Sequence, residues 1–210
     1  MIKKNLKVLI ISSIVILLPI LAGIILWDKL PQQVPCHWNV NNEVDGYCSK
    51  TFFVFFMPLI LLALQWLCVI ITSLDPKKQN HSNKMLNLAF WIVPAVNLVL
   101  AVITYFTALG IPLQIEIILP LFLGLIFLVI GNYLPKCQQN YTIGIKIAWT
   151  LNSEENWNRT HRFAGWVWTI CSLIIMATSI LSVWWIILAN FIFMVIAPIV
   201  YSFILYKKGI

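Results

Sequence analysis

Five long uncharged blocks dominate this chain: Val8 to Trp27, Thr51 to Leu74, Met85 to Ile115, Ile117 to Pro135 and Phe163 to Tyr206. A bilayer core about 30 Å thick is crossed by about 20 helical residues, so most of these blocks have the length of membrane spans. A soluble fold is excluded by the same pattern. Only 10% of the 210 residues are charged, against roughly 25% in an ordinary soluble domain, too few to cover a core. The first block follows Lys3, Lys4 and Lys7 as a secretory leader would. It is longer than a usual leader core, however, and runs into Trp27-Asp28 without a small-residue cleavage site. It reads as a retained first helix.

Block lengths set the number of crossings. The third reads as a helix from about Leu88 to Leu109, broken at Gly110-Ile111-Pro112. The last holds 44 residues, about 66 Å of helix at 1.5 Å per residue, which is two crossings with a turn near Ser182. Trp184 and Trp185 would then anchor at an interface. The fold class is therefore all-α: a polytopic membrane protein of six transmembrane helices, both termini inside. With that topology twelve Lys and Arg residues fall on the cytoplasmic side and two, Lys29 and Lys50, outside, as the positive-inside rule demands. The net charge of +7 needs no nucleic-acid partner; topology and anionic membrane lipid account for it.

Two units are drawn from the sequence. Residues 1–75 form a two-helix unit with an extracytoplasmic loop at 28–51, and residues 85–210 form a four-helix unit with a cytoplasmic loop at 135–163. Pro58, Pro94, Pro120 and Pro198 fall inside spans and are expected to kink them. Gly124 and Gly131 share a face of the fourth span and point to close helix contact. No charged residue or His lies inside a proposed span, which argues against a proton- or cation-coupled transporter. Gln65, Asn97 and Asn190 are the polar candidates within the spans, with interhelical hydrogen bonding as their ordinary role.

The two loops carry the remaining information. In the outer one, Pro31 and Pro35 favour extended chain, while Asn41-Asn42 and Asp45-Gly46 are turn formers, so a compact, ordered cap is expected. His37 with two Cys and one Asp lacks a recognised zinc spacing. Cys36 and Cys48 face an oxidising side and could close a 13-residue ring. In the inner loop, Ser153 before Glu154-Glu155 is a helix N-cap with acidic residues complementing the dipole. Trp149 and Trp157 could lie at the headgroup level, and Lys146, Arg159 and Arg162 could meet phosphates. That interfacial reading leaves unexplained why Asn132, Asn140, Tyr141, Gly144, Thr150, Thr160 and His161 cluster there. A polar platform at the membrane surface is the alternative. The residues form no familiar catalytic, metal or cofactor motif, so neither an enzyme nor a cofactor is expected.

Both loops also carry a resemblance. The outer segments Leu30-Pro31, Val34-Pro35, His37-Trp38-Asn39, Asp45-Gly46-Tyr47 and Ser49-Lys50 resemble a small uncharacterised domain at the start of bacterial multi-span proteins. The inner segments Gly131-Asn132, Pro135-Lys136, Asn140, Gly144-Ile145-Lys146, Trp149-Thr150-Leu151, Ser153-Glu154, Trp157 and Thr160-His161 resemble the signature of the SdpI family. Two positions depart from the pattern: Asn42 stands where a glycine is expected, and Ala148 where a proline is. The resemblance implies a multi-pass protein of the bacterial plasma membrane that confers immunity to a secreted toxic peptide. It further implies a receptor that draws a cytosolic ArsR-type repressor to the membrane, with no direct nucleic-acid binding. A cytoplasmic platform of Asn132, Pro135, Lys136, Asn140, Gly144, Lys146, Trp149, Thr150, Trp157, Thr160, His161 and Arg162 would serve that docking. The outer residues Pro35, His37, Trp38, Asn39, Asp45, Gly46 and Lys50 would meet the toxin. The competing class is a small membrane transporter or enzyme that gives resistance indirectly.

Overall fold

A computed structural model describes residues 2–39, 41–181 and 183–210. Among the described residues six helices are long and apolar enough to cross a membrane. They are α1 (Ile2–Ile25), α2 (Met57–Ser73, entered through a π-helical turn at Phe52–Phe56), α3 (Asn83–Ala108), α4 (Ile115–Tyr133), α6 (Glu154–Ser179) and α7 (Trp184–Lys207). A short helix, α5 (Ala148–Asn152), precedes α6. Large apolar side chains such as Ile25, Leu74 and Trp166 are 68–80% exposed, the inverse of a soluble protein and the mark of a lipid-facing surface. The chain is a multi-pass membrane protein.

Helix boundaries follow local chemistry. The π-helical turn sits directly ahead of Pro58, whose missing N–H frees a carbonyl that such local rewinding can re-satisfy. Chain after α3 turns at Gly110, whose φ of 76° suits glycine. Ser153 caps α6 by accepting the Asn156 N–H at 3.1 Å. The fifth span therefore starts nine residues ahead of its uncharged block, with its first two turns polar. The turn expected near Ser182 lies outside the described residues.

Packing forms two compact units, one of residues 1–73 and 86–115, the other of 74–85 and 116–210. In the first, α3 packs with α1 and α2. Polar side chains inside the first unit join its helices: Gln65 Nε2 donates to Ser12 Oγ at 2.8 Å, Asn97 Nδ2 to the Ile16 carbonyl at 2.8 Å, and Tyr105 to the Pro19 carbonyl at 2.8 Å. Each such bond contributes about 1 kcal/mol in a membrane. Asn190 differs, since its amide bonds only to Ile186 of its own helix.

In the second unit α4 lies against α6 through small residues. A Cβ on Gly124 would sit 2.5 Å from Met176, and one on Gly131 would sit 3.0 Å from Trp168. Helix α7 closes the other side, with Trp168 Nε1 donating to the Met194 carbonyl and Phe163 stacked on Tyr201.

Candidate functional site

Two structured segments stand out from the spans. The first, between α1 and α2, is a β-hairpin of β1 (Gln33–Trp38) and β2 (Val44–Ser49), paired antiparallel. Its turn is built by Asn39, whose side-chain oxygen accepts the N–H groups of Asn41 and Glu43 while its amide donates to the Glu43 carboxylate. Asn42 takes a φ of 64°, so it adopts the left-handed backbone for which glycine was expected. Asp45 and Gly46 do not make a turn. They lie within β2, where Gly46 admits the neighbouring strand: a Cβ there would stand 2.8 Å from that of His37.

Cys36 and Cys48 are joined by a disulfide across the strands, with Cα atoms 6.0 Å apart. Val34 and Leu30 are buried in a core with Phe53, Val54, Ala101 and Tyr105, which holds the hairpin on its helices. Lys50 is also buried; its ammonium donates to the carbonyls of Trp27 and Leu30 and lies 4.6 Å above the Trp27 ring. It thereby satisfies carbonyls just beyond the C-terminus of α1. Pro35 is buried and Trp38 half-buried. His37 and Asp45 project outward as a hydrogen-bonded couple at 2.5 Å. The hairpin's outer face is thus His37, Asp45 and Tyr47, with Asn39 at its tip.

The second segment is a layer of buried polar groups formed by residues 74–85, the loop 137–153 and the first turns of α6. Asp75, the first charge after the second apolar block, is the hub. Its carboxylate accepts the N–H of Lys77 at 2.7 Å, the N–H of Tyr141 at 2.9 Å and the Thr142 hydroxyl at 2.9 Å, with His81 Nε2 at 3.3 Å. Burial raises the pKa of Asp75, but these donors and the nearby His81 outweigh it, and the carboxyl titrates below its ordinary 3.8. Gln139 adds a second tie: it donates to the carbonyls of Thr150 and Leu151, accepts from Lys77 Nζ, and takes the Asn80 amide on its own carbonyl.

Asn140 folds the loop from within. Its oxygen accepts the N–H groups of Thr142 and Ile143, and its amide donates to the carbonyls of Gln138 and Ile143. Trp157 donates to the Cys137 carbonyl at 2.7 Å and stacks on His161 at 4.0 Å. The His161 ring is held at both ends: Nε2 accepts the Ile145 N–H at 2.9 Å, so the proton sits on Nδ1, which donates to the Trp157 carbonyl at 2.8 Å. Gly144 has a φ of 120°, and a Cβ there would fall 2.5 Å from His161 Nε2. No other residue fits. Burial pushes the Cys137 thiol up to about 11, Asn140 notwithstanding, so it is no ready nucleophile.

The structure separates the expected platform into two sets. Asn140, Thr150, Trp157, Thr160 and His161 are at most 1% exposed. They build the layer rather than present a surface. Trp157 therefore does not reach the headgroups as an anchor; its ring is covered on all sides. Thr150 bridges Ile145 and Ile147, and Trp149 stacks against Phe203 and Tyr206. Thr160 belongs to a different knot, in which Asn156 bonds Thr160, Ser202 and the Ile210 carbonyl. Asn132, Pro135, Lys136, Lys146 and Arg162 are exposed. Ala148, where the pattern has proline, opens α5 after an extended Ile147, a position that proline also favours. The signal for Asp75 was available in its isolation: it is the one acidic residue between Asp45 and Glu116.

Six apolar helices with an ordered hairpin and a buried polar layer define a multi-pass bacterial membrane protein. The SdpI/YfhL protein family matches residues 136–202, and a domain of unknown function (DUF1648) matches residues 14–62. The Immunity protein SdpI of Bacillus subtilis (strain 168) is 30% identical over 214 residues, covering 98% of this chain and 97% of that protein. The chain belongs to the SdpI family. No solved structure matches it.

Proposed function

We propose that the protein is an immunity protein of the plasma membrane that protects a bacterium from a secreted toxic peptide. One observation carries this: the likeness to an immunity protein runs through both the hairpin region and the polar layer, over almost the whole of each chain. The charge asymmetry of twelve to two supports the hairpin outside and the layer in the cytoplasm. The hairpin then meets the toxin with His37, Asp45 and Tyr47.

The finer part of the proposal is signalling. A cytosolic repressor of the ArsR type is drawn to the layer when toxin is bound. Since Thr150, Trp157, Thr160 and His161 are buried, the repressor meets the skin they support, namely Tyr141, Lys146, Asn158 and Arg159, which are exposed. A bound toxin transmits its effect by favouring one arrangement of the helices. The test is survival: a toxin-sensitive Gram-positive strain expressing this chain should grow where the parent dies. No gain in survival at normal membrane levels would refute the proposal.

A further inference from the structure

Three of the basic residues around the polar layer are already engaged. Lys77 bonds Gln139, Lys146 bonds the Thr142 carbonyl at 2.9 Å, and Arg159 pairs with Glu155 at 2.6 Å. Lys136 and Arg162 have no carboxylate partner among the described residues. Both are exposed. Both also mark where hydrocarbon begins: Lys136 is the first charge after the apolar run of α4, and Arg162 the last before 44 uncharged residues.

Helix geometry brings them to one groove. Gly124 faces Met176, Gly131 faces Trp168, and Pro135 faces Gly165, so α4 and α6 run antiparallel. At about 100° per residue, Arg162 is rotated roughly 60° from the Gly165 contact line, and Asn132 roughly 100° from the Gly131 line. In an antiparallel pair these rotations turn toward the same side. Lys136 follows Asn132 by one turn, its ammonium 5.0 Å above the Tyr133 ring. Trp166, one turn deeper than Arg162, is 68% exposed and points its indole along the same face into lipid.

We propose that this groove is a binding site for the headgroup of an anionic phospholipid. Lys136 and Arg162 neutralise the phosphodiester, which in such a lipid carries no compensating ammonium. Asn132 donates to its oxygens, and Trp166 lies against the glycerol and upper acyl chain. Two cations with no carboxylate partner among the described residues, both at the hydrocarbon boundary, suit a charge that is itself fixed at that depth. A soluble anion has no reason to favour the groove.

Full-length protein reconstituted in phosphatidylcholine vesicles, titrated with brominated phosphatidylglycerol or brominated phosphatidylcholine, tests this through tryptophan quenching. The signal from Trp166 is the difference between the wild type and Trp166→Phe. It should be quenched by the anionic lipid at a mole fraction on the order of tenfold lower than by the zwitterionic one. The pair Lys136→Gln/Arg162→Gln should bring the two curves together, while Lys207→Gln/Lys208→Gln, with the same loss of charge, should keep them apart. Coincident curves in the wild type would overturn the proposal without any variant. So would equal loss in the Lys207/Lys208 pair, which would reduce the effect to surface charge. Relief of quenching by excess glycerol phosphate would move the site to soluble anions and overturn the lipid assignment.

Discussion

The hairpin and the polar layer are both small, irregular structures attached to a helical membrane protein, but different bonds hold them. The hairpin has backbone pairing, one disulfide and a buried lysine on carbonyls. Its outer face is nearly free of internal commitments. The layer has no covalent tie; some six side chains are buried and spend almost every donor and acceptor on backbone. A cross-linked hairpin can change its face without losing its shape. In the layer, each buried polar group left without a partner costs its desolvation, so shape and composition cannot be separated.

This contrast predicts how each region breaks. Removing the Asp75 carboxylate should have the largest effect, because it strands His81, Thr142 and two N–H groups in a buried site. Asp75→Ala should destabilise the layer by about 3 kcal/mol, read as lost amide hydrogen-exchange protection at residues 139–147. A pH series sharpens the point. Because the folded Asp75 pKa is depressed, its stabilisation is present at neutral pH and lost only as pH falls through that lowered value. Protection of the Tyr141 amide should persist down through the ordinary carboxylate range and fail only below it. Failure at pH 6 would contradict the assignment.

Cys36→Ser should come next, at about 3 kcal/mol for a ring of this size, but confined to the hairpin. Reductant should loosen residues 33–49 and leave the layer's exchange untouched. If reductant loosened both, the two regions would not be independent. Gly144→Ala should cost about 2 kcal/mol through its backbone strain and the clash with His161. Ser153→Ala should cost about 1 kcal/mol by uncapping α6, seen as fraying of its first turn alone.

The spans, their number, the N-cap and the Gly124–Gly131 contact were legible in the sequence, because each rests on local periodicity or a bilayer's fixed thickness. The hairpin was foreseen only as an ordered cap. Asp45-Gly46 has the chemistry of a turn, but Asn39 can fold the chain earlier by accepting two N–H groups, which leaves Gly46 to admit a strand. In the layer, the types of residue were legible and their roles were not. Thr150, Trp157 and His161 read as a surface because polar residues near a membrane edge usually are one. Their burial depends on partners far along the chain, Cys137 and Ile145 among them, that no local pattern announces. Asp75 was overlooked for the same reason, since its partners in the loop, Tyr141 and Thr142, lie 66 and 67 residues away.

The most direct test of the proposed division of labour is a paired measurement: survival under toxin, and membrane localisation of a fluorescent ArsR-type repressor, in cells with normal levels of each variant. His37→Ala/Asp45→Ala on the hairpin's outer face should lower survival more than recruitment. Lys146→Glu/Arg159→Glu on the skin of the layer should lower recruitment and spare survival. Equal loss of both outputs from both pairs would contradict the account.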